Sequence, residues 1–391
     1  MLLNIFCEKK RLALCLILLL LVTLGCTRIN MAQGWSGTLV DGDHLILTSM
    51  DGHVMVLDRE TGKHIWKPDL IRVNEKEEDK RAAYGMPAAS NGIVFVGVYD
   101  GKLQAMAKDT GRVVETEVVS DDFEIIGGPL IHQNKLFIGA TDGILRSYSL
   151  EFSNQQVSFN DEWEFEVGGE IWSTPVISGE TLIITSLDHS VYALKKDTGE
   201  LLWIAKTGGA IAATPTVEKN TVYVGSFDGV FYAFDLFTGE EIWTFDKASN
   251  WYWGKAVING DMIYVPSLDG NLYALDVNSG KKEWELETQG AIVGSPTIVS
   301  DMLVVGSTDG ELRIVETGSG ELLGSCDIGE SIESSITSEG SDVYFSVRDH
   351  SVRSIVVKPN GNPDEKWDAP YFSNLLKDDK NPQPSDWSPD C

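Results

Sequence analysis

Eight positions, recurring about every forty residues, carry the side chains best suited to holding a ligand. They are Trp35, Tyr84, Ile126, Trp172, Ala212, Trp253, Val293 and Glu333. Four of them are aromatic, and "NWYWGK" (Asn250 to Lys255) adds Trp251, Tyr252 and Lys255 around the sixth. Flat rings stack on sugars and other rings, while a lysine and a glutamate supply polar contacts. Trp35, Tyr84, Trp172, Trp253, Lys255 and Glu333 therefore form a candidate binding cup for a glycan or a small aromatic ligand. The alternative is a hydrophobic plug that only stiffens the fold.

Other chemistry has less support. The six histidines (His44, His53, His64, His132, His189, His350) show no metal-ligand spacing. His53 and His350 stand near equivalent turns and are expected to be exposed there. Eight Asp residues precede a Gly or His: Asp51, Asp100, Asp142, Asp188, Asp228, Asp269, Asp309 and Asp349. One such Asp per repeat suits a hairpin turn, because Gly accepts positive φ without steric cost. No Ser/His/Asp set, phosphate-cradling Gly loop or Cys cluster stands out. The sequence thus predicts no enzyme, no catalytic residue and no metal.

What must position these residues is a repeat. The gaps between the Asp residues are 49, 42, 46, 40, 41, 40 and 40. The long gaps hold the charged insert "NEKEEDKR" (Asn74 to Arg81) and a polar stretch at "SNQQ" (Ser153 to Gln156). In the fifth unit "AATPTVE", "TVYVGSF", "VFYAFD" and "EEIWTFD" read as four strands. A column of small residues, Ser36, Gly85, Gly127, Ser173, Ala213, Gly254, Gly294 and Ser334, runs through the first strands. Innermost strands converging on one axis leave little room, so small residues there signal radial closure. The expected fold is all-β, a single eight-bladed β-propeller of four-stranded antiparallel blades over residues 34–368. Trp66, Trp203, Trp243 and Trp284 each follow the next turn Gly by four residues, with Trp163 and Trp367 placed similarly. They are expected to fill the gaps between blades. Glu115 and Gly324 replace this tryptophan in units two and seven, which should be the softer parts of the ring.

The ends carry different information. Lys9 to Arg11 precede an apolar run, Leu12 to Gly25, and then Cys26. That run is shorter than the ~20 residues of a membrane-spanning helix and has the form of an export signal. "TLGC" resembles a bacterial lipobox, departing from it at Thr23 and Leu24, which makes Cys26 the candidate lipidation site. The expected organisation is a signal peptide over 1–26, a short linker over 27–33, the propeller over 34–368 and a mobile tail over 369–391. The protein would be exported and held by its lipid on the outer face of the cytoplasmic membrane, or in the periplasm or outer membrane. Beyond Cys26 only Cys326 and Cys391 remain, which is no disulfide framework. With 31 basic and 59 acidic side chains the formal charge is −28, which repels phosphate backbones and excludes nucleic acid as a natural partner.

"ALDVNSGKKEW" and "ALKKDTGELLW" resemble the PQQ-type propeller repeat. Eight such units behind a lipoprotein signal also resemble the BamB-type propeller lipoproteins of the outer-membrane β-barrel assembly machinery. The resemblance implies a non-enzymatic, lipid-anchored scaffold for protein–protein contacts in a cell-envelope complex, with β-barrel assembly proteins as partners. Quinoproteins of the repeat family would need a calcium held by carboxylate and amide ligands, a catalytic carboxylate, and aromatic or disulfide faces around the cofactor. This chain has no vicinal Cys pair, so no PQQ or other cofactor is expected. The extension from Tyr371 to Cys391 departs from the repeat pattern.

Overall fold

The computed structural model describes residues 36–49, 52–66, 71–72 (backbone alone), 82–348 and 351–367. Cys26, Trp35, Asp51, Asp349, His350, the insert at 74–81 and the tail lie outside the described residues, as do the signal and linker. Eight four-stranded sheets follow one another, each an antiparallel meander of four consecutive strands. This is the eight-bladed propeller that the repeat predicts.

In blade five the strands are Thr216–Glu218, Thr221–Gly225, Phe231–Asp235 and Glu241–Phe245. The two middle strands are apolar nearly throughout, because blades stack against both of their faces. The outer strand alternates, with Trp243 and Phe245 buried and Ile242 and Thr244 exposed. The first strand is shorter than the segment "AATPTVE". Ala213 and its equivalents lie in the irregular lead-in before the ladder, where the blades crowd together. A Cβ added to Gly85 would lie 2.5 Å from the amide nitrogen of Gly128 in the next blade. Hydroxyls tie the same columns: Thr48 Oγ1 donates to the Gly85 carbonyl at 3.2 Å, and Thr185 Oγ1 to that of Ala213 at 3.0 Å.

Away from the axis the blades diverge, and tryptophan fills the wedge. The indole N–H of Trp203 donates to the Leu236 carbonyl of the next blade at 2.9 Å, and Trp243 reaches Val277 at 3.0 Å. Trp66, Trp163, Trp284 and Trp367 make the equivalent bonds to Lys108, Lys196, Thr317 and Arg59. Each of Trp203, Trp243 and Trp284 faces an alanine on its own third strand (Ala193, Ala233, Ala274), and the register slips by one residue beside it. A bulge there increases local twist, which suits a side chain that must lean onto the neighbouring blade. The turn Gly of that neighbour receives the ring: a Cβ on Gly239 would sit 2.6 Å from Cε3 of Trp203.

The ring closes through the same device. All four strands of the last blade come from the C-terminal end, so no strand is exchanged with the first blade. Trp367 bonds to Arg59, Thr337 Oγ1 donates to the Thr38 carbonyl at 2.7 Å, and Ser346 Oγ to that of Ser36 at 3.3 Å.

The tryptophan-less units are filled by other means, and one expectation, at His53, is corrected. Blade three extends its outer hairpin (Ile144–Ser153 and Gln156–Glu166, with "SNQQ" at the tip) and sets Phe152 and Phe159 edge-on against Phe95 of blade two, at 6.5 and 6.1 Å. Between blades seven and eight, Leu323 packs against Gly361. His53 is not an exposed turn residue: it starts the third strand of blade one and is buried, its amide donating to Ser49 Oγ at 3.0 Å. His189 does occupy the turn with φ of 68°.

Trp203→Ala should cost about 3–5 kcal/mol, the range for deleting a buried aromatic. Gly239→Ala should cost about 1–3 kcal/mol, because it combines positive φ with the clash on the indole. Urea titration of both single variants and the double variant should show less than additive loss, since the first mutation removes the clash of the second.

The channel mouth as candidate binding site

The turn carboxylates are committed to holding loops in place. The tyrosine hydroxyl four residues on donates to Asp188 (from Tyr192), to Asp228 (from Tyr232, 2.6 Å) and to Asp269 (from Tyr273, 2.8 Å). Arginine does the same for Asp142 (Arg146, 2.7 Å) and Asp309 (Arg313, 2.8 Å). Three of these carboxylates also accept an amide from the loop that leads into their blade: Gly168 to Asp188 at 3.1 Å, Ser249 to Asp269 at 2.9 Å, and Gln289 to Asp309 at 2.9 Å. Burial alone would raise the carboxyl of Asp309. Arg313, Ser307 and the amides of Glu311 and Gln289 outweigh it and hold the group at about 2. Asp188 and Asp269 are lowered in the same way, their hydrogen bonds overcoming burial. Burial first, and then the bond to Asp228, pushes Tyr232 up to about 12.

These pinned loops present the aromatic column. Among the described residues, the amide of the residue just before each turn Asp donates to the loop, Phe227 to the Ala210 carbonyl and Tyr99 to that of Ala82, at 2.9 and 2.8 Å. A second column thereby joins the mouth, including Tyr99, Phe227 and Arg348. The sequence reading passed over it because its residues look like the end of a strand. The only signal was their fixed place immediately ahead of Asp.

The rings form two groups. Tyr84 meets Tyr99 edge-on at 5.5 Å. Trp172 meets Trp253 at 6.0 Å and 60°, Trp253 stacks on Phe227 at 5.7 Å and 17°, and Phe227 stacks on Trp251 at 4.8 Å and 16°. Trp251 and Trp253 remain 49% and 41% exposed. The indole N–H of Trp172 donates to Glu170 at 2.7 Å. Tyr252, between the two exposed tryptophans, turns inward beside Phe231 and is fully buried. Its hydroxyl has no hydrogen-bond partner among the described residues.

The predicted polar pair is present but not joined. Lys255 is half-buried, its amide donating to Ser295 Oγ at 2.9 Å. Burial lowers its ammonium, and among the described residues no carboxylate pairs with it. Glu333 accepts a bond from Ser331 Oγ at 2.9 Å. Next to the small-residue column the Thr174 and Thr214 hydroxyls accept amides of the preceding blades, from Gly128 at 2.9 Å and from Thr174 at 3.1 Å. Trp172 and Trp253 thus meet in one cluster, Tyr84 belongs to another, and Lys255 and Glu333 lie on the same hub without pairing.

Fold and mouth together define an eight-bladed propeller of PQQ-type repeats with an aromatic sector at one end of its channel. The chain belongs to the family described as the beta-propeller of the beta-alanine-activating enzyme, whose sequence profile matches residues 36–357. It is also similar to the quinoprotein alcohol dehydrogenase PedH of Pseudomonas putida, 28% identical over 36% of this chain and 23% of that protein. The outer membrane protein assembly factor BamB of Yersinia pestis is 24% identical over 44% of this chain and 43% of the relative. The chain therefore spans less than half the length of either of these relatives. The crystal structure of BamB from Moraxella catarrhalis superposes with a TM-score of 0.66 at 20% identity, covering 82% of this chain and 92% of that one, which shows a shared fold.

The folded carboxyl of Asp309 lies below its unfolded value, so its contribution is complete above about pH 4 and is lost as pH falls towards about 2. Asp309→Asn should be less stable at neutral pH. Its stability difference from the parent should shrink over that acid range when unfolding is followed by tryptophan fluorescence.

Proposed function

We propose that this protein is a non-catalytic scaffold of the cell envelope, exported and held at a membrane through Cys26. Its contacts with β-barrel assembly proteins would run along the rim of the disc. The observation that carries this reading is the apolar face of two consecutive outer strands. Leu201, Leu202 and Ile204 in blade four, and Phe237 and Ile242 in blade five, are all exposed. Each outer strand pairs on one side only, leaving a row of backbone donors and acceptors for an added strand. Exposed large apolar side chains beside a free edge mark an interaction surface. With the chain at −28, the fitting partner is an extended apolar segment flanked by basic residues.

The similarity to BamB proteins supports this reading at the level of the family, and the quinoprotein similarity favours a cofactor instead. A quinone with its calcium asks for several carboxylates converging on one point. The turn carboxylates Asp142, Asp188, Asp228, Asp269 and Asp309 are each bonded to Tyr or Arg of their own blade. Among the described residues no three His, Cys, Asp or Glu side chains converge in a metal-holding group. The turn carboxylates, each tied within its own blade, favour the scaffold reading over a quinone site.

Cross-linking of intact cells, followed by purification through a tag after Cys391, should recover an outer-membrane barrel and its assembly proteins. Leu202→Lys with Ile204→Lys should lower that recovery severalfold. Its folded stability should change by no more than about 0.5 kcal/mol per site, since both side chains are exposed. Recovery of the propeller alone, or recovery that ignores the lysine pair, would overturn the proposal.

A further inference from the structure

The aromatic sector of the mouth is not required by the ring. Closure needs a small residue at each hub position and sets no demand on the residue before it, as Ala212 in blade five and Val293 in blade seven show. Even so, blades four to six bring Trp172, Trp253, Phe227 and Trp251 into one continuous cluster. A plug would bury these rings. Here Trp251 and Trp253 clasp Phe227 between near-parallel faces and leave about half of their own surface in water. Fully burying one large apolar side chain yields about 1.5–3 kcal/mol, so two half-exposed indoles in a rigid frame hold unused binding energy.

The same segment carries a cation. Along it Trp251 is exposed, Tyr252 buried, Trp253 exposed and Lys255 half-buried. Trp251 and Trp253 share the exposed side of this segment, and Lys255 follows Trp253 by two residues, beyond the bend at Gly254. Among the described residues no carboxylate forms an ion pair with this half-buried ammonium. In blades four and five the Thr174 and Thr214 oxygens, next to the small-residue column, accept amides, which leaves their O–H protons free to donate. Glu170, held by the Trp172 indole, and Glu333, held by Ser331, add acceptors at the same mouth.

We infer that this sector is a binding site for a carboxylate-bearing saccharide, whose ring face lies on Trp253 and Trp251 and whose carboxylate pairs with Lys255. Sugar hydroxyls would donate to Glu170 and Glu333. An aromatic acid has no hydroxyls to donate to those two carboxylates, which is why the saccharide fits better. This site is independent of the rim contacts proposed above, since it uses none of their residues.

The full chain would be titrated with oligoglucuronate, oligogalacturonate and their neutral glucose and galactose counterparts, followed by tryptophan fluorescence and calorimetry. The acidic oligomers should bind saturably, about tenfold or more tightly than the neutral ones, which corresponds to one charge-assisted contact. Lys255→Met should erase that preference and keep the weaker neutral binding. Trp253→Ala should remove both, with circular dichroism and thermal midpoint unchanged; Trp251→Ala is the second variant if the first does not fold. Three results would each overturn the inference: no saturable binding of any oligomer, a preference that survives Lys255→Met, or indole acetate binding as tightly as the acidic sugars.

Discussion

Everything in this molecule follows from the wedge between neighbouring blades. Near the axis the blades touch backbone to backbone, and only Gly, Ser or Ala fits. Farther out the gap is as wide as an indole, and six of the blades supply one. An indole buries roughly 150–250 Å², worth about 4–6 kcal/mol at the usual rate per area, as an upper bound. Its single hydrogen bond contributes about 1 kcal/mol. Burial therefore holds the blades together, and the N–H bond fixes which carbonyl each ring faces. The turn Gly, the facing Ala and the bulge beside it all serve the placement of that ring.

Closing the circle is the most demanding instance. Joining the first and last blades of some 330 residues costs about 5 kcal/mol in the length-dependent part of the loop entropy. One tryptophan junction of the size estimated above is of the same order. Here Trp367 against Gly62, with the bonds Thr337 to Thr38 and Ser346 to Ser36, supplies a complete junction. That explains how the ring closes without lending a strand from one end to the other.

Blade number, turns, small hub and inter-blade tryptophans were all legible in the sequence, because each is a single residue type at a fixed place in the repeat. What stayed hidden depends on residues of different columns meeting. Tyr99 lies fifteen residues from Tyr84 but beside it in space, since the turn bonds back to the loop that leads into the same blade. Phe227 joins Trp251 and Trp253 across a blade boundary. The filling of the gap at Glu115 was invisible for a related reason: the compensating Phe152 and Phe159 belong to an insertion, which a repeat alignment sets aside. His53 misled because a turn Asp-Gly precedes it, yet the strand resumes at once and buries it.

A repeat built to satisfy one constraint eight times leaves function to its departures from the pattern. The Asp column shows the division: Asp142, Asp188, Asp228, Asp269 and Asp309 are bonded to Tyr or Arg of their own blade and Asp100 to Lys102, so their regular recurrence marks structure. The exposed indoles at the mouth belong to one sector of the ring, and among the described residues the exposed apolar side chains of the outer strands are most numerous in blade four, with fewer in blades two, five and seven. They use different parts of the disc, one at the end of the channel and the other along the rim. Neither is needed to close the wedge. A rigid frame that costs its binding surfaces no reorganisation can serve both, because the junctions that hold it are buried between the blades.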